Sequence, residues 1–171
     1  IKKKKKKGGF SNEILKRWTN CEKYILIDPW IYQSNWSDWA NVNQRSQDHN
    51  FESTKTLLKP FASRFPVPVE LIFYREFSKD AAPLIADESV DFIYLDARHD
   101  YSSIVEDLHL YWPKLKPNGI FSGHDFTNAH EIPEKWKQDW CLQPDGSKCV
   151  RDKAVRAAVE EFAREVGRQV V

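Results

Sequence analysis

The chain has 171 residues, 41% apolar and 13% aromatic, with seven Trp and ten Phe; that is enough to pack a core and too many for a disordered segment. Its net charge is +1, but Lys2–Lys7 supply six positive charges and the remainder stands at −5, an acidic body that argues against a nucleic-acid-binding domain. No apolar run approaches the ~20 residues that span a bilayer, and Cys21, Cys141 and Cys149 form no CxxC pair, which sets aside a zinc site or a disulfide-dense scaffold.

In chain order, residues 1–7 read as a lysine-rich tail or a segment foreign to the native sequence, since a like-charge block stays solvated. Residues 8–171 read as one domain. Gly8-Gly9-Phe10-Ser11 opens a helix carrying Ile14, Leu15 and Trp18 on one face. Lys23–Asp28 is a short buried strand ending in an acid, broken by Pro29-Trp30. Residues 31–50, rich in Asn, Gln, Ser and Trp, read as a loop or lid, followed by a helix over 51–61. Strands are expected at 69–74 and 90–96, with a short helix at 78–85 between them. Ser103 and Glu106 have capping-box spacing for a helix that buries Ile104, Leu108, Tyr111 and Trp112. Pro117-Asn118-Gly119 leads into a strand over 120–123; residues 127–149 are irregular. Residues 151–166 form an amphipathic helix with Val155, Ala158, Val159, Phe162 and Val166 inward, capped by Gly167, and 169–171 begin a last strand.

Short apolar strands alternating with helices predict an α/β fold: a doubly wound, mostly parallel sheet with helices on both faces. Ligands in such sheets bind beyond the carboxyl ends of the strands. Asp28, Asp96, His99, His124 and Asp125 all follow strand ends. Asp28 lies about 20 residues after Gly8-Gly9, near the spacing at which a carboxylate holds a ribose diol, which favours that role over the alternative of a helix cap or loop acid. Asp96 is placed to face a reacting centre or to bind a hard cation through oxygen. His99 and His124 are candidate proton acceptors, and Asp125 is a second metal ligand or the carboxylate that orients His124. His99 can equally serve only to shape its loop. His49, His109 and His130 have no evident partner, and His109 is expected on a helix surface. Trp30 and Trp36 are candidates for stacking on a ligand. Cys141 and Cys149 flank the Pro144-Asp145-Gly146 turn and can pair in an oxidising compartment.

Asp91-Phe-Ile-Tyr-Leu-Asp-Ala-Arg-His-Asp-Tyr101, Asp107-Leu108, Trp112-Pro-Lys-Leu-Lys-Pro-Asn-Gly119 and Gly123-His-Asp-Phe126 together resemble the fourth-to-fifth-strand region of class I S-adenosylmethionine (SAM)-dependent methyltransferases, closest to the small-molecule O-methyltransferase-like branch. Gly8–Ser11, Glu22–Asp28 and Asp145-Gly-Ser with the Ala154–Phe162 helix are also similar, so the resemblance runs from about residue 8 to 171. It implies a Rossmann-like fold with SAM as cofactor: Asp28 on the ribose, Gly8 and Gly9 in the cofactor loop, Ser78 near the adenine, and Asp96 at the cofactor. Acids matching Asp96 and Asp125 bind Mg2+ in metal-dependent relatives. Arg98 stands where those relatives carry a basic carboxylate, so His99 or His124 has to take that part.

The chain departs from the family pattern in two places. Only lysine occupies residues 2–7, where the first strand belongs, and a closing antiparallel strand pair is missing beyond 171, so the fold is expected to be truncated there. The resulting expectation is an enzyme that methylates oxygen or nitrogen of a small-molecule acceptor. The alternatives are a non-catalytic methyltransferase-like binding module that has lost its cofactor loop, and a basic-tailed protein tethered to acidic partners. Neither nucleic acid nor membrane is expected as a partner; a cytoplasmic location is the default, and the sequence sets no oligomeric state.

Overall fold

Two parallel strand pairs organise the computed structural model, which describes residues 8–171. The lysine tail and the strand expected at 2–7 lie outside the described residues. The chain divides into two compact units, one running to Gln33 and resuming over Trp39–Ser78, the other made of Ser34–Asp38 and Lys79–Val171. Each has its own apolar cluster, where the sequence suggested a single core.

The first unit contains α1 (Gly9–Arg17), β1 (Lys23–Ile27), α2 (Gln44–Leu58) and β2 (Glu70–Tyr74). Strands β1 and β2 run parallel in unbroken register from Lys23↔Glu70 to Ile27↔Tyr74. Side chains alternate across a strand, so Tyr24, Leu26, Leu71 and Phe73 share the face that packs on Leu15, Cys21, Leu58 and Val69. Leu15 and Leu58 are fully buried. Helix α2 starts at Gln44, inside the expected loop, because the Asn43 side chain accepts the Ser46 N–H at 2.9 Å and caps its first turn. Arg64 closes the C-terminal end of α1: its guanidinium donates to the carbonyls of Leu15 (2.7 Å), Trp18 (3.1 Å) and Cys21 (3.0 Å). Trp30 is buried against Phe51, with ring centroids 4.8 Å apart, and is a core residue rather than a stacking platform for a ligand.

The second unit contains α3 (Ser78–Ala81, opened by the last residue of the first unit), β3 (Val90–Leu95), α4 (Tyr101–Tyr111), β4 (Leu115–Gly123) and α5 (Val155–Glu165). Strands β3 and β4 are parallel, with an irregularity between Val90 and Phe92 that accommodates the extra residues of Lys116–Gly119. That strand therefore starts at Leu115, five residues earlier than expected. Helices α4 and α5 bury Ile104, Leu108, Val155, Ala158 and Phe162 with Trp140 and Ala154, and Leu95 and Phe121 pack against this cluster from the strands. The expected capping box at Ser103 is not used. Asp100 caps α4 instead, its carboxylate accepting the Ser103 N–H at 3.0 Å, so the helix begins three residues sooner. Helix α5 begins at Val155, not Arg151, because Arg151 and Asp152 adopt positive φ. Residues 169–171 form no strand. The described architecture is thus parallel α/β and Rossmann-like, with its strands hydrogen-bonded as β1–β2 and β3–β4.

Candidate active site

The second unit builds its polar centre from strand register. Leu95 and Gly123 are paired at the carboxyl ends of β3 and β4, and the His124 N–H donates to the Leu95 carbonyl at 3.1 Å. The next residues of both strands, Asp96 on one side and His124-Asp125 on the other, must therefore emerge together. One ligand atom from each of Asp96, His124 and Asp125 lies within 4.8 Å of the others. Asp125 turns back into this space on a left-handed backbone, φ 56°.

His99, on the loop after β3, joins the cluster. Its Nε2 lies 3.2 Å from Asp125 Oδ2, and the His124 Nδ1 is 2.8 Å from the same oxygen. Neither ring nitrogen of His99 has a partner at hydrogen-bonding geometry, so its relation to Asp125 is one of charge and proximity. His99 is 11% exposed and stacks on Trp140, centroids 4.3 Å apart and planes 24° from parallel. His124 is far more open, at 42%. On the other side of His99 stands Asp38, with Oδ2 3.9 Å from Nδ1.

These surroundings separate the two acids. Burial pushes the Asp125 carboxyl up, but the close approach and charge of His99 and His124 outweigh it and hold the pKa down at about 2. Asp96 moves the other way: crowding by protein atoms raises it, and the charge of Asp125 adds to that, although His124 and His99 pull against it. Tyr94 is pushed up to about 12 by burial and by the charges of Asp96 and Asp125. The site thus contains a firmly ionised carboxylate between two imidazoles, beside a second carboxyl that protonates more readily.

Arg98 and Asp100 support this centre without entering it. The Arg98 Nε donates to Asp100 Oδ2 at 2.9 Å, with the two side chains 13% and 2% exposed, and its Nη2 donates to the Leu142 carbonyl at 3.3 Å. Asp100 also accepts from the Ser102 hydroxyl at 3.0 Å. Arg98 is a committed structural cation, and the position has no basic carboxylate.

Sequence reasoning missed Asp38 and Trp140. Residues 34–38 are flanked by residues of the first unit but belong to the second. The Asn35 side chain donates to the Pro144 carbonyl at 2.9 Å, the Ser37 hydroxyl donates to the Lys137 carbonyl at 2.8 Å, and Asp38 accepts from the Gln138 side chain. Trp36 lies beside Arg98, His99, Asp100 and Trp140. No periodicity marks these positions, because their partners lie about a hundred residues away in sequence.

The predicted cofactor residues Asp28, Gly8, Gly9 and Ser78 belong to the first unit. Asp28 is exposed at the end of β1; one carboxylate oxygen accepts the Trp30 N–H at 2.6 Å, and its own N–H donates to the Tyr74 carbonyl at 3.2 Å. Gly8 caps α1 with φ 71°, and a Cβ there would stand 2.7 Å from Thr54 Cγ2, so the turn requires glycine. Gly9 is the first helical residue and Ser78 opens α3. His109 is on the surface of α4, 2.9 Å from the Val105 carbonyl and 3.1 Å from Glu165. The Cys141 and Cys149 sulfurs are bonded to each other.

Residues 12–126 match a family model described as a methyltransferase domain. That stretch holds Asp28, Ser78, Asp96, His99, His124 and Asp125, and stops short of Gly8 and Gly9. A structural-genomics crystal structure of a Corynebacterium glutamicum protein is similar over 91% of this chain and 70% of its own, with a TM-score of 0.48 and 15% sequence identity. No curated protein matches the chain.

Proposed function

The chain belongs to the class I SAM-dependent methyltransferase family, and from that premise we propose that it moves the methyl group of SAM to an oxygen or nitrogen of a small-molecule acceptor. The observation that carries this reading is the convergence of Asp96, His124 and Asp125 after two in-register parallel strands, inside the stretch that matches the family.

The first unit's residues fit the recognition of SAM. Asp28 offers an exposed carboxylate at a strand end, suited to a ribose diol. Gly8 and Gly9 form the glycine turn that opens α1, and Ser78 stands at the start of α3, toward the adenine in this reading. When bound, SAM supplies an electrophilic methyl group on a sulfonium sulfur.

The second unit's residues handle the acceptor. An O–H or N–H acceptor must lose its proton as the new bond forms. His124 is the more accessible base: Asp125 holds its Nδ1, so the opposite nitrogen, Nε2, takes the proton. Asp125 remains ionised throughout and stabilises the resulting imidazolium. His99, held between Asp38 and Asp125, is the second candidate base and adds positive charge when protonated. The two carboxylates and one imidazole also suit a divalent cation. Oxygen donors favour Mg2+, which would sit on Asp96 and Asp125, while an imidazole donor shifts the preference toward Mn2+ or Zn2+.

Calorimetric titration of SAM into the chain tests the proposal, with Asp28→Ala as the comparison. Saturable binding lost in the variant supports the cofactor assignment. A folded chain that takes up no SAM points instead to the non-catalytic binding module, the reading favoured by the lysines at residues 2–7.

A further inference from the structure

Cys141 and Cys149 close a short hairpin, at a sequence separation of 8, immediately after Trp140. Cys149 N–H donates to the Cys141 carbonyl at 2.8 Å, and Gln143 N–H donates to the Ser147 carbonyl at 2.9 Å. The hairpin is fastened at two points, one on the loop that bears His99 and one on the first turn of α4. Leu142 accepts from Arg98, and the buried Gln143 side chain accepts the Ser102 N–H at 3.1 Å. Trp140, one residue before Cys141, is 4% exposed and carries the His99 stack. The covalent bond closes the hairpin that follows Trp140 and so keeps Leu142 and Gln143 in the shape that makes these two contacts. Both cysteines are half-buried beside exposed Ser147 and Lys148, within reach of a small reagent.

We propose that the Cys141–Cys149 disulfide is a thiol-responsive clamp that holds Trp140 against His99. It rests on the reading of His99 as part of the acceptor-side machinery. The switching step is thiol–disulfide exchange with a dithiol. One dithiol sulfur attacks a cysteine sulfur and breaks the S–S bond, then the second closes the reagent's own disulfide. The dithiol is oxidised by two electrons, and Cys141 and Cys149 take up those electrons and two protons as thiols. Without the cross-link the hairpin regains the freedom that loop closure had removed. Trp140 and His99 then separate for part of the time.

The test uses the full chain at one fixed pH. The His99 Cε1–H resonance, assigned by its disappearance in His99→Gln, is recorded before and after treatment with dithiothreitol, and thiols are counted by alkylation and intact mass. The clamp predicts no alkylation at Cys141 or Cys149 before treatment and modification of both after it, with the buried Cys21 unchanged between the two samples. It also predicts that the resonance moves from a position shielded by the indole ring toward that of Trp140→Leu. Amide exchange at Gln143 and Cys149 should quicken by on the order of ten- to a hundredfold, the range expected for losing a short cross-linked loop. The Cys141→Ser/Cys149→Ser chain should match the reduced protein and ignore the reagent.

Two alkylated thiols with an unmoved His99 resonance would overturn the proposal, as would alkylation of Cys141 or Cys149 in the air-oxidised chain; the buried free thiol of Cys21 is read separately. Loss of amide protection at Leu15 and Leu58 on reduction would also overturn it, since the bond would then hold up the whole fold. Neither readout needs cofactor or acceptor, so failure of methyl transfer and failure of the clamp are separate results.

Discussion

The main-chain N–H of His124 donates to the Leu95 carbonyl at 3.1 Å, continuing the β3–β4 ladder one residue past its last register pair. This single bond explains why a polar centre exists in the second unit. In a parallel pair the ends of both strands point the same way, so Asp96 and His124-Asp125, about 28 residues apart in sequence, emerge at one edge.

Asp125 and Asp96 should leave opposite marks on stability as pH changes. Asp125 has its folded pKa held down at about 2, below the ordinary value of 3.8. Its contribution is therefore fully present above about pH 4 and is lost as pH falls toward 2; a shift of this size corresponds to about 2 kcal/mol. Asp96 has a raised pKa, so its ionised form costs stability as pH rises through the folded value. Urea unfolding across pH 2–7 should show Asp125→Asn losing stability at neutral pH and converging with the wild type near pH 2. Asp96→Asn should gain stability at pH 7 and lose that advantage in acid.

Asp100 should be the most costly single carboxylate to remove. Asp100→Ala deletes the α4 cap and leaves the Arg98 guanidinium partly buried without its partner. Loss of the cap costs about 1 kcal/mol, and stranding a buried cation brings the total to roughly 3 kcal/mol or more. Asp100→Asn keeps the cap acceptor and should recover part of that loss. Chemical denaturation of the three chains measures both steps.

Arg64 should matter well beyond an ordinary surface arginine, because one guanidinium satisfies three main-chain carbonyls around the end of α1. Arg64→Ala should destabilise the fold by about 2–3 kcal/mol, since several half-buried carbonyls lose a charged donor together. Arg64→Lys should restore only part, because a single ammonium cannot span the same fork. Exchange rates of amides in α1, compared with those in α5, would show whether the loss is local to the first unit.

Cation binding should depend on both carboxylates. Titrating Mn2+ and following water-proton relaxation should give saturable binding. The affinity should fall at least tenfold in Asp96→Ala and in Asp125→Ala, and less in His124→Ala, where the oxygen ligands remain. Equal, weak binding by all four chains would remove the cation from the reading.

The parallel α/β class was legible because short apolar runs, two of them closed by the acids Asp28 and Asp96, alternate with segments of helical apolar period. Val90–Asp96 and the helix burying Val155, Ala158 and Phe162 are the clearest cases. The candidate residues Asp96, His124 and Asp125 could be picked out for the same reason: they stand directly after strands, where ligands of such sheets bind. Boundaries were less so. Asn43 and Asp100 act as caps through hydrogen bonds that no apolar period reports, and Leu115 pairs across a bulge that proline and glycine disguise as a turn.

From its sequence alone, the chain determined its helices, its strands and the acids and histidines at their ends, since these depend on neighbours within a few residues. Only tertiary structure decided that Asp38 and Trp140 flank His99, that Arg98 is committed to Asp100, and that Trp30 is core. Those outcomes depend on contacts between distant segments, where burial and competing hydrogen-bond partners settle what a side chain does.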